Sequence, residues 1–141
     1  MDKTSNKLHR FIAKLIDVLI IGFLSEMFYP YGFIAGLLYL LIGDGFFEGQ
    51  SLGKKLIGLK VITIPDEKKA EFKESIIRNS FLALAIGFAI IPFVGFFLMF
   101  TVGLFIFVVE GYYVLTNPAG ERLGDRLAFT RVIDVKQKSP R

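Results

Sequence analysis

Long apolar stretches alternate with short charged ones along the chain. No charged residue occurs over the 31 positions from Asn79 to Val109, or over the 13 positions from Tyr31 to Gly43. A helix that crosses the hydrocarbon core of a bilayer needs about 20 predominantly apolar residues. The pattern therefore predicts an all-α membrane protein rather than a small soluble domain.

The apolar stretches divide into four predicted transmembrane helices, at about residues 8–28, 31–47, 76–92 and 95–115. The block that follows Arg78 could instead form one helix, but 31 residues at 1.5 Å each would measure about 46 Å. A hydrocarbon core is about 30 Å thick, so one helix would have to tilt steeply. Pro92 and Gly95 suit a turn within the block, so we prefer a hairpin.

The basic residues indicate which side of the membrane is cytoplasmic. The chain has 17 Lys and Arg against 13 Asp and Glu, and all 17 lie within residues 3–14, 54–78 and 122–141. The turns at residues 25–31 and 91–96 contain none. Lys and Arg are enriched in cytoplasmic loops, so we expect both termini on the cytoplasmic side. A nucleic-acid surface would not follow the rhythm of the apolar stretches, and we expect no nucleic-acid partner.

The two halves of the chain resemble each other. Arg10 precedes an Asp44-Gly-Phe-Phe sequence by 34 residues, and Arg78 precedes a Glu110-Gly-Tyr-Tyr sequence by 32 residues. Matching spacings of this kind point to an internal repeat.

A second match lies outside the apolar stretches. The sequences LGKKLIGLKVI (52–62) and LGDRLAFTRVI (123–133) are identical at five of eleven positions. We interpret the chain as a single membrane domain (1–141) with a first repeat at 8–64 and a second at 76–135. Each repeat would be a helical hairpin followed by a short amphipathic segment, in the same orientation, as in parallel transporter repeats. Chance alignment of apolar sequences is the alternative.

The segments that follow the hairpins also contain short β-rich sequences. Residues 61–64 and 131–135 are rich in β-branched residues and are flanked by turn residues, so they predict a small cytoplasmic β-ribbon. In the repeat alignment Lys54 takes the place of Asp125. We therefore expect these two side chains to face each other, although a solvated Asp125 is the simpler alternative.

Asp17 is the first candidate for chemistry, because it is a carboxylate inside a predicted helix. Insertion of a charged group at the centre of a membrane helix costs about 2.5–3.5 kcal/mol. Arg10, Lys14 and Asp17 share one helix face, so Lys14 could pair with Asp17 directly, while Arg10 needs a longer reach or a water molecule. Such a carboxylate could exchange a proton for a transiently bound monovalent cation. A structural ion pair is the alternative, and both remain open.

Other ionisable residues are secondary candidates. Arg10 and Asp125 would tune Asp17 or form a cytoplasmic gate; the remaining candidates are Lys14, Lys54, Arg78, Asp44 and Glu110. With His9 as the only histidine and no cysteine, a His/Cys metal site and a Cys–His dyad are excluded. Ser and Asp are present, but we do not expect a hydrolytic triad with a single histidine at the interface. We therefore expect no enzyme, no cofactor and no tightly bound metal.

At these residues the chain resembles the RDD family of small bacterial membrane proteins, over about residues 8–135. The motif from Arg10 to Asp17 is similar to the family's first Arg and Asp. The sequence GQSLGKKLIGLKV (49–61) is similar to the family's central motif, and DRLAFTRV (125–132) supplies the second Asp. Arg78 is similar to an Arg that the family often has before its third apolar block.

The resemblance implies a bacterial membrane protein that transports unidentified ligands or exchanges sodium, lithium or potassium for protons. Two positions depart from the family's pattern. Gly124 stands where the family often has His, and Phe129 stands where it often has Gly. This chain therefore has no histidine immediately before Asp125, and no mechanism for it can use one there.

Two hypotheses follow from the sequence. The first is a small cation/proton antiporter of the bacterial cytoplasmic membrane, in which Asp17 binds protons and monovalent cations. Two four-helix subunits would provide eight helices around a path, so a homo-oligomer is expected. The second is a non-transporting scaffold that binds a partner protein, or an anionic lipid, through its basic cytoplasmic face.

Overall fold

The computed structural model describes residues 5–135, which form six α-helices and two short strands. In chain order these are α1 (Lys7–Met27), α2 (Tyr31–Phe46), α3 (Leu52–Ile57), β1 (Leu59–Thr63), α4 (Phe72–Gly87), α5 (Val94–Thr116), α6 (Leu123–Leu127) and β2 (Thr130–Asp134). A single 3-10 turn, Phe88–Ile90, extends α4. The basic residues Lys3, Lys136, Lys138 and Arg141 lie outside the described residues.

The long helices agree with the predicted apolar segments to within a few residues, apart from α4, which starts and ends earlier than the predicted 76–92. This helix begins at Phe72, four residues before the predicted start, because Glu71 and Glu74 form a capping box at its first turn. The Glu71 N–H donates to the Glu74 carboxylate at 3.0 Å. The uncharged block that follows is broken at a turn around Phe93, whose φ is 61°, so it forms two helices rather than one.

The predicted β-ribbon is confirmed. β1 and β2 pair antiparallel, with Leu59 opposite Asp134 and Thr63 opposite Thr130. Leu59 and Val61 of β1 and Val132 of β2 are almost fully buried, and with Ala13 and Ala70 they form the hydrophobic core. The buried face of the ribbon therefore packs against Ala13 of α1.

Each strand follows a short helix that packs closely against a long one. Gly53 of α3 lies against the carbonyl of Ala13 in α1, and Gly124 of α6 lies against the carbonyl of Arg78 in α4. A Cβ atom at either glycine would overlap these carbonyl groups, so only glycine permits the contact. The two halves thus share the order of helix, helix, short helix and strand, while the repeat itself stays a prediction.

The long helices expose apolar surface. Phe97, Phe105 and Phe107 of α5 are each at least 70% exposed. Soluble monomers rarely present contiguous apolar patches larger than a few hundred Å². Within residues 5–135, α5 is the one helix that is long and apolar enough to cross a membrane, since α2 has 16 residues and α1 carries charged side chains. The chain therefore has one clear membrane-span candidate, and the four-span arrangement stays a prediction.

Cysteine labelling tests the four-span arrangement, because the chain has no natural cysteine. Tyr29→Cys and Phe93→Cys place a thiol in the α1–α2 and α4–α5 turns, where the native side chains are 80% and 98% exposed. Lys68→Cys places one between β1 and α4. We expect a membrane-impermeant maleimide to label the two turn variants on intact cells, and Lys68→Cys only after permeabilisation, because the loops rich in Lys and Arg face the cytoplasm.

The unsubstituted chain is the control for labelling of other proteins. Labelling of Lys68→Cys on intact cells, or protection of both turn variants until permeabilisation, would contradict the four-span arrangement with cytoplasmic termini.

Candidate functional site

Buried ionisable side chains from five helices converge where α3 and α6 meet the long helices. Each of them exposes 6% or less of its surface; they are Arg10 and Asp17 from α1, Asp44 from α2, Lys54 from α3, Arg78 from α4 and Asp125 from α6. We refer to these six residues as the charge cluster. Charged groups are almost never this buried unless they are paired, so the pairing of each determines what the cluster can do.

Asp125 joins the two halves of the molecule. Its Oδ2 accepts a hydrogen bond from Arg10 Nη2, and its Oδ1 lies 2.6 Å from Arg78 Nη2. The backbone N–H of Arg122 also donates to Oδ2, at 3.2 Å. Burial alone would raise the pKa of Asp125, but Arg78 and Arg10 outweigh it and lower the pKa to about 2. Asp125 is therefore an ionised structural anchor at neutral pH.

Asp44 is the second paired carboxylate. Its Oδ1 accepts a hydrogen bond from Lys54 Nζ, while its Oδ2 lies 3.6 Å from Arg78 Nε and 3.3 Å from Asn79 Nδ2. Burial lowers the pKa of Lys54 to about 7, although Asp44 opposes the shift. Burial thus disfavours the charged form of Lys54, and its ion pair with Asp44 favours that form.

Arg78 is shared between the two carboxylates. It contacts Asp125 through Nη2 and Asp44 through Nε. Its Nη1 is buried and has no hydrogen-bond partner within residues 5–135. One guanidinium group thus links α2, α4 and α6.

Asp17 is held differently from the other carboxylates. Its partners are Ser51 Oγ at 2.6 Å, the backbone N–H of Gly53 at 2.8 Å and the hydroxyl of Tyr39 at 3.1 Å. Ser51 is the N-cap of α3, so Asp17 lies at the N-terminus of that helix. Within the described part of the chain, every donor that reaches Asp17 is uncharged.

The structure corrects two of the predicted contacts. Lys14 does not pair with Asp17, because its Nζ donates to Asn79 Oδ1 at 3.3 Å while α3 supplies the donors to Asp17. Lys54 does not face Asp125, because it is bound to Asp44.

The structure also gives contacts for other candidate residues. The sequence left open which acid pairs with Arg10; its partner is Asp125, and Arg10 also donates to the carbonyl of Gly120. The role of this pair in tuning or gating Asp17 stays a prediction. Glu110 lies 3.8 Å from Arg122 and is only partly exposed. The structure thus places Glu110 at the edge of the charge cluster rather than within it.

Several residues of the site were not predicted. Ser51 has a recognisable signal, since a serine just before LGKKL is a typical N-cap. Asn79 lies one residue beyond Arg78, and nothing in the sequence indicates that its amide bridges Lys14 and Asp44. Tyr39 has no distinguishing signal within its apolar helix.

Metal-ligand geometry is absent from the described residues. Within residues 5–135 no group of three or more His, Cys, Asp or Glu side chains could hold a metal ion. His9 lies apart from the charge cluster, with Nδ1 3.8 Å from Asp134 Oδ2.

Comparison with known proteins gives one match. A family model described as the RDD family matches residues 27–129 of the 141, which includes Asp44, Lys54, Arg78 and Asp125. Arg10 and Asp17 lie on the N-terminal side of the matched region. No curated protein and no solved structure matches the chain.

Because Asp125 is the common partner of Arg10 and Arg78, we predict a large loss of stability in Asp125→Asn. The substitution leaves Arg10 and Arg78 buried without their common counter-charge, and removal of one partner of a buried pair costs about 3–5 kcal/mol. The pKa of Asp125 in the folded state is depressed from 3.8 to about 2, so its stabilising contribution is present above about pH 4 and is lost as the pH falls towards 2.

Thermal unfolding in detergent, measured across this pH range, tests the prediction. The melting temperature of Asp125→Asn should lie well below that of the wild type at pH 7, and the two should converge under acid conditions. Asp66→Asn is the matched control, because Asp66 is more than half exposed and its contact with Lys68 is a surface pair. Equal melting temperatures at pH 7 would contradict the role of Asp125.

Proposed function

We propose that this chain, which belongs to the RDD family, is a multi-pass protein of the bacterial cytoplasmic membrane that exchanges a monovalent cation for a proton. In this proposal four helices span the bilayer, both termini are cytoplasmic, and two or more copies assemble around the path. The cation and the proton are substrates, and no enzyme chemistry is involved.

The observation that carries the proposal is the contrast between Asp17 and the other buried carboxylates. Asp44 and Asp125 each contact basic side chains, whereas within residues 5–135 the direct hydrogen-bond donors to Asp17 are hydroxyl and backbone N–H groups. Such donors stabilise a carboxylate without a directly paired positive charge, and Lys14 acts on Asp17 only from a longer distance. A proton or a small cation would compensate the carboxylate charge, and the two would compete for one site.

The groups around Asp17 are suited to this competition. Ser51 Oγ and Tyr39 OH lie 2.6 and 3.1 Å from its two oxygens. A hydroxyl can rotate to present its oxygen instead of its hydrogen, so these side chains could turn from donors into ligands. Protein oxygens replace the hydration shell of alkali cations in membrane filters. In the proposal, the Arg10–Asp125 pair closes the cytoplasmic side of the site.

A non-transporting scaffold is the second candidate, and it has its own supporting observations. The three hydrogen bonds to Asp17 account for its burial without a transported ion. A cavity of about 310 Å³ lies between α1 and α2. Tyr39 and Leu52 help to line it, and its walls are almost entirely apolar. In this alternative Asp17 only fixes α3 against α1.

Asp17→Asn separates the two candidates. Asn has nearly the same shape as Asp: its amide oxygen can still accept from Gly53 N–H and Tyr39 OH, and its NH2 group can donate to Ser51 Oγ. The contact with α3 should therefore largely survive, while the titratable charge is lost. We expect proteoliposomes that contain the wild type and a trapped pH dye to show proton flux when sodium, potassium or lithium is added. Asp17→Asn should reduce this flux to the level of empty liposomes.

Glu26→Gln is the matched control, because it removes an exposed carboxylate from the same helix. Its flux should equal that of the wild type. Retention of exchange by folded Asp17→Asn would remove Asp17 from the mechanism. Absence of flux in folded, inserted wild type would favour the scaffold.

A further inference from the structure

A second cavity lies on the α4–α5 side of α1, away from the donors that hold Asp17. Its volume is about 370 Å³, and it is bounded by α1, α4, α5 and the start of α6. Polar lining residues include Lys7, Lys14 and Arg122, and apolar ones include Val18, Leu82 and Phe107. We refer to this cavity as the crevice.

The charged part of the crevice has an excess of positive charge. Lys7, Arg10, Lys14 and Arg122 line it, against the single carboxylate of Glu110. Arg10 forms an ion pair with Asp125, which does not line the crevice, and Glu110 lies 3.8 Å from Arg122. Within residues 5–135 neither Lys7 nor Lys14 forms a salt bridge; Lys14 donates to the neutral amide of Asn79, and Asp44 and Asp17 act on it only from a longer distance. Both ammonium groups can therefore contact an anion in the crevice.

The remainder of the crevice is apolar and runs into the long helices. Val18 lies eleven residues beyond Lys7 on α1, which is about 16 Å along the helix. Leu82 of α4 and Phe107 of α5 form the other walls. The crevice thus has a cationic end at the start of α1 and an apolar end deeper in the bundle.

The faces beside the crevice also indicate how a ligand would enter. Phe11 and Phe107 line it and are 60% and 71% exposed. Both lie on helices that expose apolar side chains, so the crevice opens sideways onto a surface suited to lipid rather than to water.

We propose that the crevice binds an anionic phospholipid, with the headgroup phosphate at Lys7 and Lys14 and one acyl chain along Val18, Leu82 and Phe107. The arrangement of charge and apolar surface matches a lipid better than a free phosphate ion, which would leave the apolar walls unfilled. The proposal does not depend on cation exchange at Asp17.

Native mass spectrometry of the full chain in detergent tests the proposal. The probes are phosphatidylglycerol, phosphatidylcholine with the same acyl chains, and sn-glycerol 3-phosphate. We expect phosphatidylglycerol to bind most tightly. Lys7→Gln and Lys14→Gln should each weaken its binding by about fivefold, since a basic residue near an anionic lipid contributes about 1 kcal/mol.

Matched variants distinguish the crevice from a generally basic surface. Lys73→Gln removes an exposed lysine at the start of α4, outside the crevice, and should leave the affinity unchanged. Val18→Trp should fill the apolar part and weaken lipid binding, whereas Leu19→Trp, at a 64% exposed position outside the lining, should not. Lys14→Arg keeps the positive charge and should retain lipid binding. Its comparison with Lys14→Gln shows whether the loss of lipid binding reflects the lost charge or a folding defect.

Four results would overturn the proposal. They are no binding of phosphatidylglycerol, equal binding of phosphatidylcholine, an equal loss in Lys73→Gln, and binding of glycerol 3-phosphate as tight as that of the lipid with no effect of Val18→Trp. The last result would assign the crevice to a soluble phosphate compound.

Discussion

The contact of one carboxylate with two arginines determines how the halves of this molecule are joined. Asp125 lies on a five-residue helix, yet it binds Arg10 from the first helix and Arg78 from the fourth. A buried carboxylate without a partner would be strongly destabilising, and so would two unpaired buried guanidinium groups. The three charges therefore hold α6 against the first turn of α1 and the middle of α4. With α6 held there, β2, which follows it, lies beside β1, and the ribbon can form.

Much of the secondary structure could be predicted from the chain. The four predicted apolar segments coincide with most of each long helix, and the turn expected near Pro92 lies between α4 and α5. The ribbon followed from two β-rich segments, because β-branched residues next to turn residues are a local signal. The early start of α4 was missed, since the capping box of Glu71 and Glu74 lies in a charged run without an apolar pattern.

The partners of the charged residues could not be predicted in the same way. Spacing predicted that Lys14 and Asp17 share one helix face and could pair. Spacing says nothing about α3, whose N-terminus offers Asp17 two better donors, while Lys14 turns to Asn79 of α4. The repeat alignment suggested that Lys54 faces Asp125. In the folded chain Lys54 binds Asp44 instead, and Asp125 binds the arginines. In a cluster of three cations and three carboxylates, each pairing depends on the whole set, so no single pair can be inferred alone.

Helix α1 consequently separates two environments of opposite character. On the side of α2 and α3, Asp17 accepts hydrogen bonds from neutral donors. On the side of α4 and α5, Lys14 donates to a neutral amide. Both arise because Asp44 and Asp125 are already engaged by Lys54, Arg78 and Arg10. The charge cluster thus provides the rigid frame on which both proposed binding sites depend.

The most direct test of this account is a double-mutant cycle between Arg10 and Asp125, with Arg10→Met, Asp125→Leu and the double variant compared by their free energies of unfolding in detergent. If the pair joins the halves, each single change leaves the other charge of the pair unpaired in an apolar environment. The double change removes both charges and therefore the free-energy penalty of the unpaired one. The account predicts a double variant that is more stable than the sum of the single effects, by about 1–3 kcal/mol. Additive effects, within about 0.5 kcal/mol, would show that the pair does not join the two halves.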